Sequence, residues 1–240
     1  MNARVEGALR PLKSAWWFVG GLCGNAKQGL LELLGRIRIY NRPFWFVLNP
    51  KPYQIKARQI RKALEVMQPG DVVVRKYNTY LSSYFIPGRF SHSGVFVGRK
   101  TVQGMEVEVV VHALGSGVQM QDAIDFFMEC DEFAILRPRC DEQVRNEACE
   151  IACGYIGTKY DYGFDVCEDY DNQDEVQKRT KSVYCHELTR SCFPHLRVPC
   201  IAPTLWNGMI RSSKKQFLAQ SFFESPDFDV VYDSFYSELH

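Results

Sequence analysis

RFSHSGVFVG, residues 89–98, decides how the rest of the chain is read. GVFVG has the apolar, β-branched and aromatic character of a buried strand, yet His92 stands just before it between Ser91 and Ser93, where burial penalises an imidazole that lacks a partner. EVEVVVHAL, residues 106–114, is a second strand of the same kind with His112 near its end. The charged segment RKTVQGME, residues 99–106, joins the two, so the pair reads as an antiparallel hairpin with a polar tip. Opposed side chains on paired strands lie about 5 Å apart. His92 and His112 are therefore candidates for one constellation.

Working outward from the hairpin, IKARQIRKALEVM (55–67) has helical spacing and runs through the turn PGD (69–71) into a strand, DVVVRK (71–76). On the other side, QDAIDFFMEC (121–130) is helical, FAILRP (133–138) a strand, and DEQVRNEACEIACGYI (141–156) a helix with an acidic first turn. Residues 157–181 read as an elaborate loop. Its acidic run EDYDNQDE lacks the glycine and terminal glutamate of a calcium loop and reads as solvated surface. VYCHELTRSCF (183–193) is the next helix, entered near Cys185.

The whole chain has 240 residues, 46% hydrophobic and 24% charged, which suits one α/β or α+β domain with appendages. Residues 1–62 hold 12 Lys/Arg against 2 Asp/Glu, and the remainder 17 against 26, so a net charge of +1 conceals a basic arm and an acidic body. Residues 1–50 form the appendage and 51–240 the main domain. Within the arm, AKQGLLELLGRIRIYN (26–41) has helix-like spacing, and NRPFWFVLNPKP (41–52) is rich in breakers. The apolar run SAWWFVGGLCG is too short for a membrane span and lacks the small-residue site of a signal peptide. The expectation is a soluble cytoplasmic protein whose arm, with Trp16, Trp17, Phe18, Trp45 and Phe46, suits peripheral contact with an anionic membrane. No nucleic-acid-binding module accompanies the basic arm, and no nucleic acid partner is expected.

Nine cysteines, an odd number without paired CxxC units, disfavour a secreted disulfide framework. Cys149 and Cys153, four apart on a helix, read as small buried thiols and not as a metal pair. Cys185 is the one thiol placed at the start of a predicted helix, where the macrodipole and free N–H groups favour a thiolate and the same N–H groups suit an oxyanion. His186 projects about 100° away around that helix and is less suited as its base. His195 and His240 have no supporting context.

GDVVVRK, FIPGRFSHSGVFVG, VVVHALGSGV, GTKYDYGF and VYCHELTRSCF, in that order, resemble the YiiX/YebB-like permuted papain-fold proteins. These belong to the NlpC-like cysteine peptidase superfamily, which includes lecithin:retinol acyltransferase-like enzymes. The resemblance covers about residues 68–232. It implies an α+β fold, an antiparallel sheet packed against helices, and a circularly permuted papain order with histidine first and cysteine last. It also implies Cys185 as nucleophile, His92 as general base and His112 as the orienting group, where YiiX-like members usually carry glutamate and the acyltransferase-like relatives histidine. Tyr160 and Asp161 of the family-like YDYGF, and Glu187 of the helix, are implied to line the substrate pocket.

The expected activity is thus that of a thiol-dependent hydrolase, an amidase or peptidase, or of an acyltransferase, working on a peptide, an amide or a lipid-like ester through an acyl-enzyme. No metal or organic cofactor is implied. The competing expectation is a catalytically inactive papain-like adaptor at a membrane surface.

Overall fold

The computed structural model describes residues 54–77, 86, 88–102, 104–163, 182–201, 204–205, 210–211 and 216–236, with residues 29, 32 and 33 and the strands 37–41 and 44–48. The rest of the basic arm and most of the acidic loop expected at 157–181 lie outside the described residues.

Six antiparallel strands form the central sheet, in the order β12-β7-β3-β4-β5-β6. They are β3 (Val72–Lys76), β4 (His92–Val102), β5 (Met105–Leu114), β6 (Gly117–Asp122), β7 (Glu132–Pro138) and β12 (Phe228–Asp233). Helices with defined ends among the described residues are α1 (Ala57–Val66), α2 (Ala123–Met128), α3 (Glu142–Gly154), α4 (Cys185–Ser191) and α5 (Ala219–Phe223). A short parallel pair, β8 (Lys159–Tyr160) and β9 (Ser182–Val183), leads into α4, and a short antiparallel pair, β10 (Thr204–Leu205) and β11 (Ile210–Arg211), follows it. The expected α+β class, with an antiparallel sheet against helices, is what the chain adopts.

Strand residues alternate between the two faces of the sheet, and each face has its own core. Val73, Phe96, Val110, Phe133 and Ile135 pack with Ile60 and Ala63 of α1 and Ala123, Phe126 and Phe127 of α2. Val72, Val74, Val95, Val97, Val109 and Val111 pack with Ala148 and Ala152 of α3, Leu188 of α4 and Phe222 of α5. With helices on both faces, β3 reads as a continuous apolar run, as strands covered on both sides do.

Local chemistry sets the entries and exits. Gly70 turns the chain from α1 into β3 at φ +87°, with the Arg145 backbone packed where a Cβ would stand. The fully buried carboxylate of Asp71 accepts from Gln68 N and, at 2.9 and 2.8 Å, from the Arg137 guanidinium on β7. Asp122 ends β6 and caps α2 through its bond from Ile124 N at 2.7 Å.

Three expectations need correction. The hairpin tip is shorter than the sequence suggested, because Arg99 to Val102 continue β4 and pair with Met105 to Glu108. The Arg99–Glu108 ion pair at 3.8 Å spans two of these partners. Strand β6 was not anticipated, since GVQMQD is an edge strand whose half-exposed residues hide its period. Ile37–Asn41, read as the end of a helix, is β1, paired antiparallel with β2 (Phe44–Leu48) across what had been read as breaker-rich. Its Ile-Arg-Ile-Tyr alternation is a strand period too short to outweigh the helical spacing before it.

Candidate active site

His92 and His112 meet as the hairpin reading requires, and Gly94 is the reason. The cross-strand partner of His112 is Gly94, which places His92 diagonally two residues along on the same face. A Cβ on Gly94 would stand 2.7 Å from Val110 Cγ1, 2.9 Å from Val111 O and 3.0 Å from His112 Cβ, so only glycine lets β5 approach this closely. His92 Nε2 and His112 Nδ1 lie 2.9 Å apart, and the two rings cross edge to face at 5.2 Å. Gly94→Ala is expected to push β5 outward, to cost about 1–3 kcal/mol of stability as overpacked sites do, and to break this bond. Urea denaturation of a folded Gly94→Ala protein matching the wild type would contradict the close approach.

Both imidazoles are buried and uncharged. Desolvation, then the Arg75 cation, hold His92 and His112 well below the usual histidine range. Phe126 of α2 contacts both rings, at 6.1 Å from His92 and 5.2 Å from His112. His112 Nε2 is enclosed and has no hydrogen-bond partner among the described residues.

Cys185 is the first residue of α4, as expected, but its thiol is not the ionised group the helix start suggested. Burial pushes it up to about 11, against the opposing pull of the Ser93 and His186 backbone N–H groups, the Tyr160 hydroxyl and its own N–H. Desolvation outweighs the donors, and the resting group is a neutral thiol. Those donors converge on the sulfur itself, where they favour a thiolate once one forms. Burial, first, and the neighbouring thiol keep Tyr160 a neutral phenol able to donate.

The adjacent residues 92 and 93 point to opposite faces of β4. The His92 ring lies on the α2 face, while Ser93 faces α4, its Oγ 2.8 Å from His186 Nδ1 and 2.9 Å from Thr189 Oγ1. Thr189 Oγ1 donates to Cys185 O at 3.0 Å, tying the first turn of α4 to this cluster. The thiol thus sits beside the His92–Ser93 peptide, at the point where the β4–β5 ladder begins. Among the described residues no hydrogen bond joins the His92 ring to Cys185. The expected trio therefore divides: two imidazoles bonded together, and a thiol one residue away with donors of its own.

The remaining expected residues divide in the same way. Tyr160 is at the thiol. Asp161 is a turn residue, its N–H on Val183 O at 3.1 Å and its Oδ1 accepting from Gly163 N at 2.8 Å. Glu187 is buried in the first turn of α4, close enough to Tyr155 of the α3 end to act on its phenol. Two contributors were missed from sequence, Ser93 and Arg75, and His186, set aside as a base for Cys185, is bonded to Ser93. Strand parity gives the signal for Ser93 and Arg75, since 93 alternates with 92, and 75 lies in register with His92. Among the described residues no group of three or more His, Cys, Asp or Glu is set to hold a metal ion.

Comparison with known proteins places the chain in a family. Residues 66–232 match the profile of a family described as permuted papain-like amidase enzymes, YaeF/YiiX, C92 family. A search of the curated proteins returned no match. The crystal structure of metalloprotein yiiX from Escherichia coli O157:H7 is similar in fold, with a TM-score of 0.52 at 15% identity, over 69% of this chain and 96% of that one. With the histidine hairpin, the buried helix-start cysteine and the sheet order all inside the matched span, the chain belongs to the YaeF/YiiX family of permuted papain-like amidases.

Proposed function

We propose that the chain is a cysteine amidase that works through an acyl-enzyme on Cys185, with His92 as its base. The observation that carries this reading is the thiol held on the Ser93 N–H, one residue beyond an imidazole already oriented by His112 at 2.9 Å. With Nε2 engaged by His112, the nitrogen of His92 left for the thiol proton is Nδ1. For Nδ1 to carry a lone pair, Nε2–H donates to His112 Nδ1 and His112 holds its own proton on Nε2.

The reaction then balances in two halves. Sγ attacks the amide carbonyl as its proton passes to His92 Nδ1, and the oxyanion accepts from the Tyr160 hydroxyl and the N–H groups at the start of α4. The C–N bond breaks as His92 returns the proton to the departing amine. Water, deprotonated by His92, then attacks the thioester and releases the acid and the thiol. Arrival of an amine in place of water would give the acyltransferase outcome. Because the thiol and imidazole are both neutral at rest, proton transfer awaits substrate.

The orienting role of His112 is tested by its replacements. His112→Gln is expected to retain measurable turnover of a nitrophenyl ester, and His112→Leu to lose it about a hundredfold or more, the order of a general acid–base contribution. A fully active leucine variant would remove His112 from the site.

A second reading, the non-catalytic adaptor, draws on one observation: a thiol raised to about 11 and not bonded to an imidazole. It requires that Cys185→Ala leave every activity of the protein unchanged.

A further inference from the structure

Arg75 is an arginine with no exposed surface, in a sheet strand directly in register with His92. Such residues are almost never fully buried without paired charge. Its guanidinium stacks 3.9 Å over the Phe126 ring, and Nη1 donates to Phe126 O at 2.6 Å. The carboxylate that answers it, Glu129, is 3.7 Å away and more than half exposed. Nε is enclosed, with no hydrogen-bond partner among the described residues. The same Phe126 ring contacts both imidazoles, so guanidinium, phenyl and histidine pair form one packed unit on the α2 face. The thiol stands apart from it, with Ser93 and α4.

We infer that Arg75 is a positioning residue of the active site: its buried guanidinium, fixed by Phe126, withholds an extra proton from the His92–His112 pair, so that the thiol keeps its own proton until substrate is bound. The inference rests on the reading of His92 as the base of Cys185. A cation in this interior favours neutral imidazoles, and its weakly compensated charge acts on both of them, whereas the sulfur beside the Ser93 N–H answers chiefly to burial and its own donors. The downward pull of Arg75 on both histidines agrees with the geometry.

The groups that face the pair are few. Arg75 comes from β3, and His186 acts on His92 from α4. Beyond α2 stand Glu129, Cys130 and Asp131, and the Cys130 thiol, pushed up to about 12 by burial, is uncharged. Arg75 is the one cation among them, so removing it changes the sign of the local field.

The experiment follows the imidazole resonances of the full chain by NMR through a pH titration, and in parallel the rate at which iodoacetamide alkylates Cys185. In Arg75→Met the pair is expected to take its proton about one pH unit higher, the order of one nearby charge, and the part of the alkylation rate that His92→Ala abolishes is expected to rise about tenfold near pH 6. In Glu129→Gln, a surface change that leaves Arg75 less compensated, both are expected to move the other way by a smaller amount. A folded Arg75→Met protein that titrates as the wild type overturns the inference. Where Arg75→Met does not fold, Glu129→Gln decides, and an unchanged or upward titration overturns it. Alkylation indifferent to His92→Ala would instead count against His92 as the base, while the titration still judges Arg75.

Discussion

Cys185→Ala is expected to abolish acyl transfer, with a loss of about 10⁴-fold or more, and His92→Ala to do nearly the same, because nucleophile and base act as a unit whose losses do not add. Neither change should unfold the protein, though the reasons differ. Cys185→Ala removes one sulfur from a packed helix start, a change of about 1–2 kcal/mol. His92→Ala leaves a cavity against Phe126 and an unpaired His112 Nδ1, and is expected to cost more, about 2–4 kcal/mol. The check is initial rate with a nitrophenyl ester alongside urea denaturation of each variant. Activity surviving in a folded variant of either kind would displace that residue from the mechanism.

The second large effect concerns acid. His92, His112 and His186 are all buried and all held uncharged by desolvation first, His186 down to about 3. An unfolded histidine takes its proton near pH 6.5. As pH falls from there, the unfolded chain binds protons that the folded one refuses, so stability is full above about pH 6.5 and declines below it. Each such group contributes a slope of about 1.4 kcal/mol per pH unit. Three together approach about 4 kcal/mol per unit, which by pH 5.5 consumes a large share of an ordinary domain's stability. Urea midpoints at pH 7.5 and 5.5 measure it. A protein equally stable at both would mean that the imidazoles accept protons in place, and the neutral resting site would be wrong.

The fold was legible where period and punctuation agreed. The β4–β5 hairpin, the turn at Gly70 and the helix beginning at Cys185 all carried local signals strong enough to survive packing. The short strands β1 and β6 carried too few residues to show a period, and tertiary pairing decided them. Within the site, the meeting of His92 with His112 was readable from strand pairing, though the diagonal across Gly94 came from how closely the backbones approach. What sequence could not supply was desolvation. The helix start argued for an ionised Cys185, and complete burial by β4, Tyr160 and the rest of α4 reversed it. Arg75 went unnoticed because DVVVRK looks like a strand ending in solvated charge, whereas α2 closes over its fifth residue. Parity along β4 was in plain view, and it is what separates the His92 ring from the cluster that Ser93 makes with His186 and Thr189.

The most direct test of the central claim is to find where an acyl group lands. Mixing the full chain with p-nitrophenyl acetate and quenching within the first turnovers, followed by intact mass and peptide mapping, should show one acetyl per chain, carried on Cys185. The accompanying burst of nitrophenolate should vanish in Cys185→Ala and slow sharply in His92→Ala. Acetyl spread over lysines and other thiols, or a burst that survives both substitutions, would contradict a Cys185 acyl-enzyme activated by His92.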